Sequence, residues 1–156
     1  MISEGDQVPA ITMKLSDGTS LDLARPGGLL LLYFYPKDDT PGCTREAQEF
    51  SARAADFAAA GAQIVGVSRD AMTKHAKFIL KYGLYVALVA DTDGAISEAF
   101  GTWVEKSLYG RRYMGLERAS FLIDANGRVV RAWRKVKVAG HANEVLAAVR
   151  SAWPRP

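Results

Sequence analysis

The sequence predicts an α/β fold: a mixed central sheet flanked by helices and opened by an N-terminal β-hairpin. Three observations carry this. The run Leu29-Leu30-Leu31-Leu32-Tyr33-Phe34-Tyr35 is unbroken and apolar, as expected of a strand covered on both faces. Strand-like and helix-like segments alternate along the chain after it. Near the end, Asp124-Ala125-Asn126-Gly127 is a hairpin turn between two further strand candidates, which makes the sheet mixed instead of purely parallel.

Each element follows from a local signal. Residues 10–15 and 19–23 flank Ser16-Asp17-Gly18 and read as the opening hairpin. Arg25-Pro26-Gly27-Gly28 leads into the central strand, and Pro36-Lys37-Asp38-Asp39 ends it. A helix then starts. Thr40 is a suitable N-cap, and Pro41 at the first helical position forfeits no hydrogen bond because that N–H has no intrahelical partner. Ala47, Phe50, Ala54 and Phe57 share one face, so the helix is expected to run to about residue 60, with Gly61 as its stop. Residues 63–68 form a second buried strand, residues 70–82 a helix ended by Gly83, and residues 86–90 a third strand. Asp93-Gly94 opens a short helix ending near Phe100-Gly101. Residues 103–117 have weak periodicity and several glycines and read as an irregular loop. Residues 119–123 and 128–138 are the strands of the terminal hairpin, and residues 141–153 are the last amphipathic helix.

At 156 residues and 49% hydrophobic composition, the chain is expected to form one domain spanning 1–156 with an ample core. Its N-terminus lacks the basic and apolar regions of a secretory signal, and its longest apolar run is far too short to cross a membrane. A single cysteine fits a reducing compartment better than a disulfide scaffold, so a cytoplasmic protein is expected. The net charge of +3 hides an asymmetry, with 9 Lys/Arg against 13 Asp/Glu over residues 1–102 and 11 against 4 over residues 103–156. The basic run Arg128, Arg131, Arg134, Lys135 and Lys137 reads as an edge strand protected by charge, in preference to a nucleic-acid patch. His75 and His141 lack metal-ligand spacing, and no Gly-x-Gly phosphate loop is present. Neither a metal nor a cofactor is expected.

The chemistry points to Cys43, the only cysteine. It falls in the first turn of the helix after the central strand, among free backbone N–H groups at the positive end of the helix dipole, where a thiolate is favoured over a thiol. An ordinary thiol is only about 3% ionised at neutral pH, so full ionisation gains roughly thirtyfold at most, and lower basicity offsets part of that. An enzyme therefore also needs polar groups that hold the substrate. The Thr40 hydroxyl and the backbone N–H groups around Gly42 and Cys43 are candidates, and Gly42 leaves that backbone unshielded. A plainer reading competes. Cys43 continues the apolar series 43, 47, 50, 54, 57, and a lone cysteine on such a stripe is usually a small buried hydrophobe.

The stretch Pro36-Lys37-Asp38-Asp39-Thr40-Pro41-Gly42-Cys43 resembles the P-x-x-x-T-x-x-C active-site loop of peroxiredoxins. The longer run from Tyr33 to Ala47 is similar to the Q-type branch, the bacterioferritin comigratory proteins. A second segment, Lys106-Ser107-Leu108-Tyr109-Gly110-Arg111-Arg112-Tyr113-Met114-Gly115 followed by Arg118-Ala119-Ser120-Phe121-Leu122-Ile123-Asp124, agrees. The likeness runs from about Gly5 to the last helix. It implies a thioredoxin-like fold and an enzyme that reduces hydrogen peroxide and organic hydroperoxides. Thr40-x-x-Cys43 has the spacing of a C-x-x-C with its first cysteine replaced, which argues against a dithiol oxidoreductase.

By the same resemblance, Cys43 matches the peroxidatic cysteine and Thr40 the hydroxyl that bonds peroxide and sulfur. Pro36 matches the proline that shields the pocket, Arg118 the guanidinium that keeps the sulfur ionised, and Glu46 an acid that orients this arginine. Without Cys43, Arg118 would read as a surface residue, Thr40 as a cap only, and Glu46 as an ordinary first-turn acid. Many Q-type members carry a resolving cysteine five residues on, where this chain has Gln48, or on the next helix, where it has none. The implied mechanism is of the one-cysteine kind: a Cys43 sulfenic acid resolved by an external thiol such as thioredoxin, glutaredoxin or glutathione. A basic surface near Arg118 would attract an anionic reductant. Relatives of this branch favour a monomer, without nucleic-acid or membrane partners. The alternative is a redox sensor that forms mixed disulfides through Cys43 without efficient turnover. A further alternative is a binding module built on the basic C-terminal third.

Overall fold

A computed structural model describes residues 1–152. The central strand β3 (Leu29–Phe34) is buried at every position, as its unbroken apolar run demands. It pairs in parallel with β4 (Ala62–Ser68) and antiparallel with β8 (Ala119–Ile123). With β5 (Ala87–Ala90) and β9 (Val129–Trp133) these make a five-stranded mixed sheet in the order β5-β4-β3-β8-β9. The opening hairpin is β1 (Thr12–Lys14) with β2 (Ser20–Asp22).

Strand alternation divides the core into two faces. Leu29, Leu31 and Tyr33 pack with helices α1 (Pro41–Ala52), α2 (Ala54–Ala59), α3 (Met72–Tyr82) and α5 (His141–Ala152). Leu30, Leu32 and Phe34 pack with the N-terminal hairpin and with α4 (Ala95–Ala99). Both edges of the sheet are covered from within the chain. Ser16 donates its N–H to the Leu88 carbonyl at 2.9 Å and accepts the Leu88 N–H on its hydroxyl at 2.9 Å. At the opposite edge, Gly5 donates to the Val129 carbonyl at 2.8 Å, and the Val129 N–H donates to Asp6 at 3.0 Å. Covered edges remove a template for pairing with other chains. No helix among the described residues is long and apolar enough to cross a membrane.

Four expectations need correction. Residues 103–117 are not a loop but a second hairpin, β6 (Trp103–Leu108) with β7 (Arg111–Leu116). Its two-residue turn puts Tyr109 at φ 50° and Gly110 at φ 77°, the doubly positive geometry of a hairpin turn whose twist matches its strands. Most of its side chains are exposed on both faces, so it has no hydrophobic alternation to read. The helix expected to reach residue 60 breaks at Arg53. The Arg53 guanidinium donates to the Glu49 carbonyl at 2.8 Å and to Asn143 of α5 at 2.5 Å, while its backbone N–H turns to the Phe50 carbonyl in a tighter turn. The third helix starts at Met72, because the Asp70 N–H and carboxylate are engaged by Ser68. The last strand ends at Trp133, not 138. Lys135 at φ 48° turns the chain, and the Val136 N–H donates to the Arg118 carbonyl at 2.9 Å. Only part of the basic run thus lies on the edge strand. The last helix is described to Ala152, and its expected final residue, Trp153, lies outside the described residues.

Candidate active site

The site is assembled where β3 gives way to α1. The loop between them is pinned to α3 at two successive carboxylates. Asp38 is buried, takes the Tyr35 hydroxyl at 2.5 Å and faces His75 Nδ1 at 2.6 Å, while its N–H donates to Asp70 at 2.8 Å. His75 Nε2 lies 2.9 Å from the Val89 carbonyl. That carbonyl can only accept, so Nε2 donates to it and Nδ1 is left facing the carboxylate, both side chains being fully buried. Asp39 adopts φ 58° and accepts from Lys81 at 2.8 Å and from the Tyr82 hydroxyl at 2.5 Å.

Thr40 sits at the N-cap with extended backbone (φ −100°, ψ 155°), and Pro41 opens the helix. Its side chain does not cap. The Thr40 hydroxyl donates to the Lys37 carbonyl at 2.8 Å instead. Cys43 follows in the first turn, 2% exposed and packed with Tyr33, Tyr35, Ala47 and Phe50. The plainer reading of Cys43 as a buried apolar residue is therefore correct about its packing. It does not account for Arg118, whose Nη2 donates to Cys43 Sγ at 3.4 Å while its Nη1 donates to Glu46 Oε1 at 2.7 Å. One planar guanidinium spans the thiol and the carboxylate.

Several features place that guanidinium. Arg118 lies between β7 and β8. The preceding Glu117 is fixed by its N–H donating to Thr102 at 2.7 Å and by two bonds from Arg134, each 3.1 Å. Gly42 lets the guanidinium lie across the helix start, since a Cβ there would stand 3.2 Å from Arg118 Nη2. Glu46 is buried, and its Oε2 has no hydrogen-bond partner among the described residues. Burial pushes the Glu46 carboxyl up to about 7, against the pull of Arg118. For Arg118, burial acts to lower its basicity, but Glu46 and Cys43 outweigh it and hold the guanidinium above its ordinary value. The arginine is thus a fixed cation whatever the state of the carboxyl. The structure brings Cys43, Gly42, Glu46 and Arg118 into one contact set. Pro36 is exposed on the loop, and the Thr40 hydroxyl donates to the Lys37 carbonyl.

Residues 4–132 match the AhpC/TSA family. The chain is 49% identical over 150 residues to Peroxiredoxin Bcp of Xanthomonas campestris, covering 93% of this chain and 94% of the relative. It is 44% identical over 146 residues to Peroxiredoxin Bcp of Bacillus subtilis, covering 93% of each. The chain belongs to the AhpC/TSA family of peroxiredoxins. It is a thiol peroxidase.

Solved structures agree. Peroxiredoxin Q of Xanthomonas campestris superposes with a TM-score of 0.87 at 45% identity, covering 97% of this chain and 99% of that one. A mutant of PrxQ from Xylella fastidiosa gives 0.90 at 38% identity, with 97% of each covered. The thioredoxin-like fold expected from the sequence is the one found, and the single cysteine makes this peroxiredoxin a one-cysteine variant of the Q-type branch.

Sequence reasoning missed two parts of the site of this peroxiredoxin. In the sequence Asp38 is a loop residue of the Pro36–Cys43 stretch with no role of its own, and His75 is a histidine without metal-ligand spacing. The available signal was a histidine on the same helical face as Phe78, Ile79 and Tyr82, all turned to the core. Lys106 was seen as part of a motif but given no place. It lies on β6, partly buried, with Arg118 and Cys43 among the titratable groups that act on its charge.

Proposed function

We propose that Cys43 is the peroxidatic nucleophile for hydrogen peroxide and organic hydroperoxides, with Arg118 and Thr40 holding the peroxide. The observation that carries this reading is the Arg118 Nη2 to Cys43 Sγ contact of 3.4 Å at a helix start. The guanidinium supplies a counter-charge for the thiolate and then for the oxygen that departs. The Thr40 hydroxyl spends its hydrogen on Lys37, which leaves its lone pairs to accept from the peroxide O–H. Gly42 clears the approach, Glu46 orients Arg118, and Pro36 shields the pocket from water. Thiolate attack on the terminal oxygen forms an S–O bond and breaks the O–O bond. The departing alkoxide or hydroxide takes the peroxide proton and leaves as alcohol or water, and the sulfenate left on Cys43 takes a proton from solvent to become the sulfenic acid.

The chain has no second cysteine, so the sulfenic acid is resolved by an external thiol. A first thiol forms a mixed disulfide with loss of water, and a second regenerates Cys43 as the donor becomes a disulfide. Thioredoxin, glutaredoxin and glutathione are the proposed donors. A single unpaired cysteine supports a cytoplasmic setting, and sheet edges closed from within the chain support a monomer. A structure of the Xanthomonas campestris bacterioferritin comigratory protein, 44% identical with a TM-score of 0.87, concerns alkyl peroxide reduction by that protein, which supports the substrate class. Replacing Cys43 by Ser should abolish peroxide consumption with dithiothreitol as donor, and mass spectrometry of the wild type after one equivalent of peroxide should find one added oxygen on Cys43. Turnover that persists in the Ser variant would refute the assignment.

A further inference from the structure

Several cations around the site have anionic partners, and Lys37, Arg111, Lys135 and Lys137, which form no ion pair among the described residues, are exposed. Arg118 is held by Glu46, Arg134 by Glu117, Lys81 by Asp39, and Arg112 by Glu105. Lys106 makes no ion pair and no side-chain hydrogen bond among the described residues, although it is partly buried. Its place is built. Lys106 stands opposite Tyr113 on the β6–β7 hairpin, and its stem lies down over Gly115. A Cβ at that glycine would meet Lys106 Cδ at 3.3 Å and Cε at 3.5 Å. A Cβ there would make the stem give way slightly. Gly115 lies on β7 shortly before Arg118, so the stem runs toward the corner that carries the guanidinium. Arg118, Cys43 and Glu117 are the titratable groups that act on the charge of Lys106, and Glu117 is already committed to Arg134. Burial, and then repulsion from Arg118, hold the ammonium below its ordinary value, so an uncompensated cation is being maintained at a cost.

A neutral hydroperoxide gives such a cation little to do in the oxidative half of the reaction, where Arg118 already meets the sulfur. The reductive half differs. The reductant attacks as a thiolate, bringing negative charge to the sulfur of Cys43, a residue only 2% exposed. We propose that Lys106 is a specificity-determining residue that selects a carboxylate-bearing thiol as the reductant of oxidised Cys43. This rests on resolution by an external thiol. In the step, the incoming thiolate forms an S–S bond to Cys43, the S–O bond of the sulfenic acid breaks, and hydroxide leaves as water with a proton from solvent. Lys106 holds the carboxylate of the attacking molecule and takes no part in bond making.

The test is a charge series. Cys43 sulfenic acid is formed with one equivalent of hydrogen peroxide and mixed with 3-mercaptopropionate, 2-mercaptoethanol or cysteamine. Mixed-disulfide formation is followed by mass spectrometry, with rates expressed per thiolate. The wild type should prefer the anionic over the cationic thiol by about tenfold, a difference of about 1.4 kcal/mol. Lys106→Met should reduce that preference to less than about twofold, Lys106→Arg should keep it, and Lys106→Glu should reverse it. Because the readout is a ratio within one protein, a general loss of activity does not mimic it. An unchanged order in Lys106→Met, or no charge preference in the wild type, overturns the proposal. If the wild type forms no sulfenic acid, the peroxidatic assignment of Cys43 itself fails.

Discussion

At the scale of single residues, the site depends on one side chain answering two demands. Arg118 reaches Glu46 and Cys43 from separate nitrogens of a planar fork. A lysine offers a point charge on a different stem and cannot reproduce two directed bonds in that geometry. Arg118→Lys should therefore keep most of the site's positive charge yet lower the second-order rate with hydrogen peroxide by about a hundredfold, the loss typical of a misplaced charge-stabilising donor. Stopped-flow kinetics with peroxide checks this. A rate within about threefold of the wild type would mean that charge alone suffices and the fork geometry is incidental. Spacing places Cys43 and Thr40 between a strand end and a helix start, whereas Arg118 enters only through the family resemblance. What spacing could not supply was the direction of each bond. The Thr40 hydroxyl turns to Lys37 and not to the helix amides, a choice made by the shape of the loop.

At the scale of elements, the start of α1 is fastened to α3 by contacts of unequal worth. The Asp38–His75 pair is fully buried, whereas Lys81 and Asp39 are largely exposed. Removing one member of a buried pair strands the other, which costs about 3–5 kcal/mol, while exposed pairs contribute about 0–1 kcal/mol. His75→Ala should accordingly lower unfolding stability by several kcal/mol and speed hydrogen exchange of the α1 amides that follow Cys43, whereas Lys81→Ala should do neither. Equal effects from the two variants in denaturant titrations would show that the loop is held by something other than the buried pair. The same inequality explains which elements the sequence revealed. The strands β3 and β8 are buried at every position and stand out as apolar runs. The β6–β7 hairpin buries almost nothing, so its signal lay only in the turn, where Tyr109-Gly110 stands in place of the usual Asn-Gly. The break at Arg53 is set partly by Asn143, which lies on a helix remote in sequence.

At the scale of the whole molecule, two buried groups on the helical side of the sheet pull stability in opposite directions with pH. His141 faces the Ser120 hydroxyl at 2.8 Å and sits between Phe50 and Trp133. Burial depresses it from 6.5 to about 4, with Arg118 adding to the effect against Glu144. Between those values the unfolded chain binds a proton that the fold does not, so this contribution to stability rises with pH from about 4 to 6.5. Glu46 is raised from 4.5 to about 7 by burial, so the fold binds a proton that the unfolded chain does not, and its contribution falls as pH rises across that window. Asp39, Asp70 and Glu117 are held below their ordinary values, so their contributions are lost only toward the acid end. Over pH 4.5 to 6.5 the two slopes oppose each other, and the wild type should show a nearly level stability there. Glu46→Gln should expose the His141 slope, with stability rising by about 1–3 kcal/mol across the window. His141→Gln should expose the Glu46 slope, with stability falling by a similar amount. Denaturant midpoints for the three proteins at about pH 4.5, 5.5 and 6.5 decide the matter. Parallel curves for all three would mean that neither group titrates with the fold. If Glu46→Gln instead loses stability as pH rises relative to the wild type, the pull of Arg118 on that carboxyl exceeds the cost of burying it.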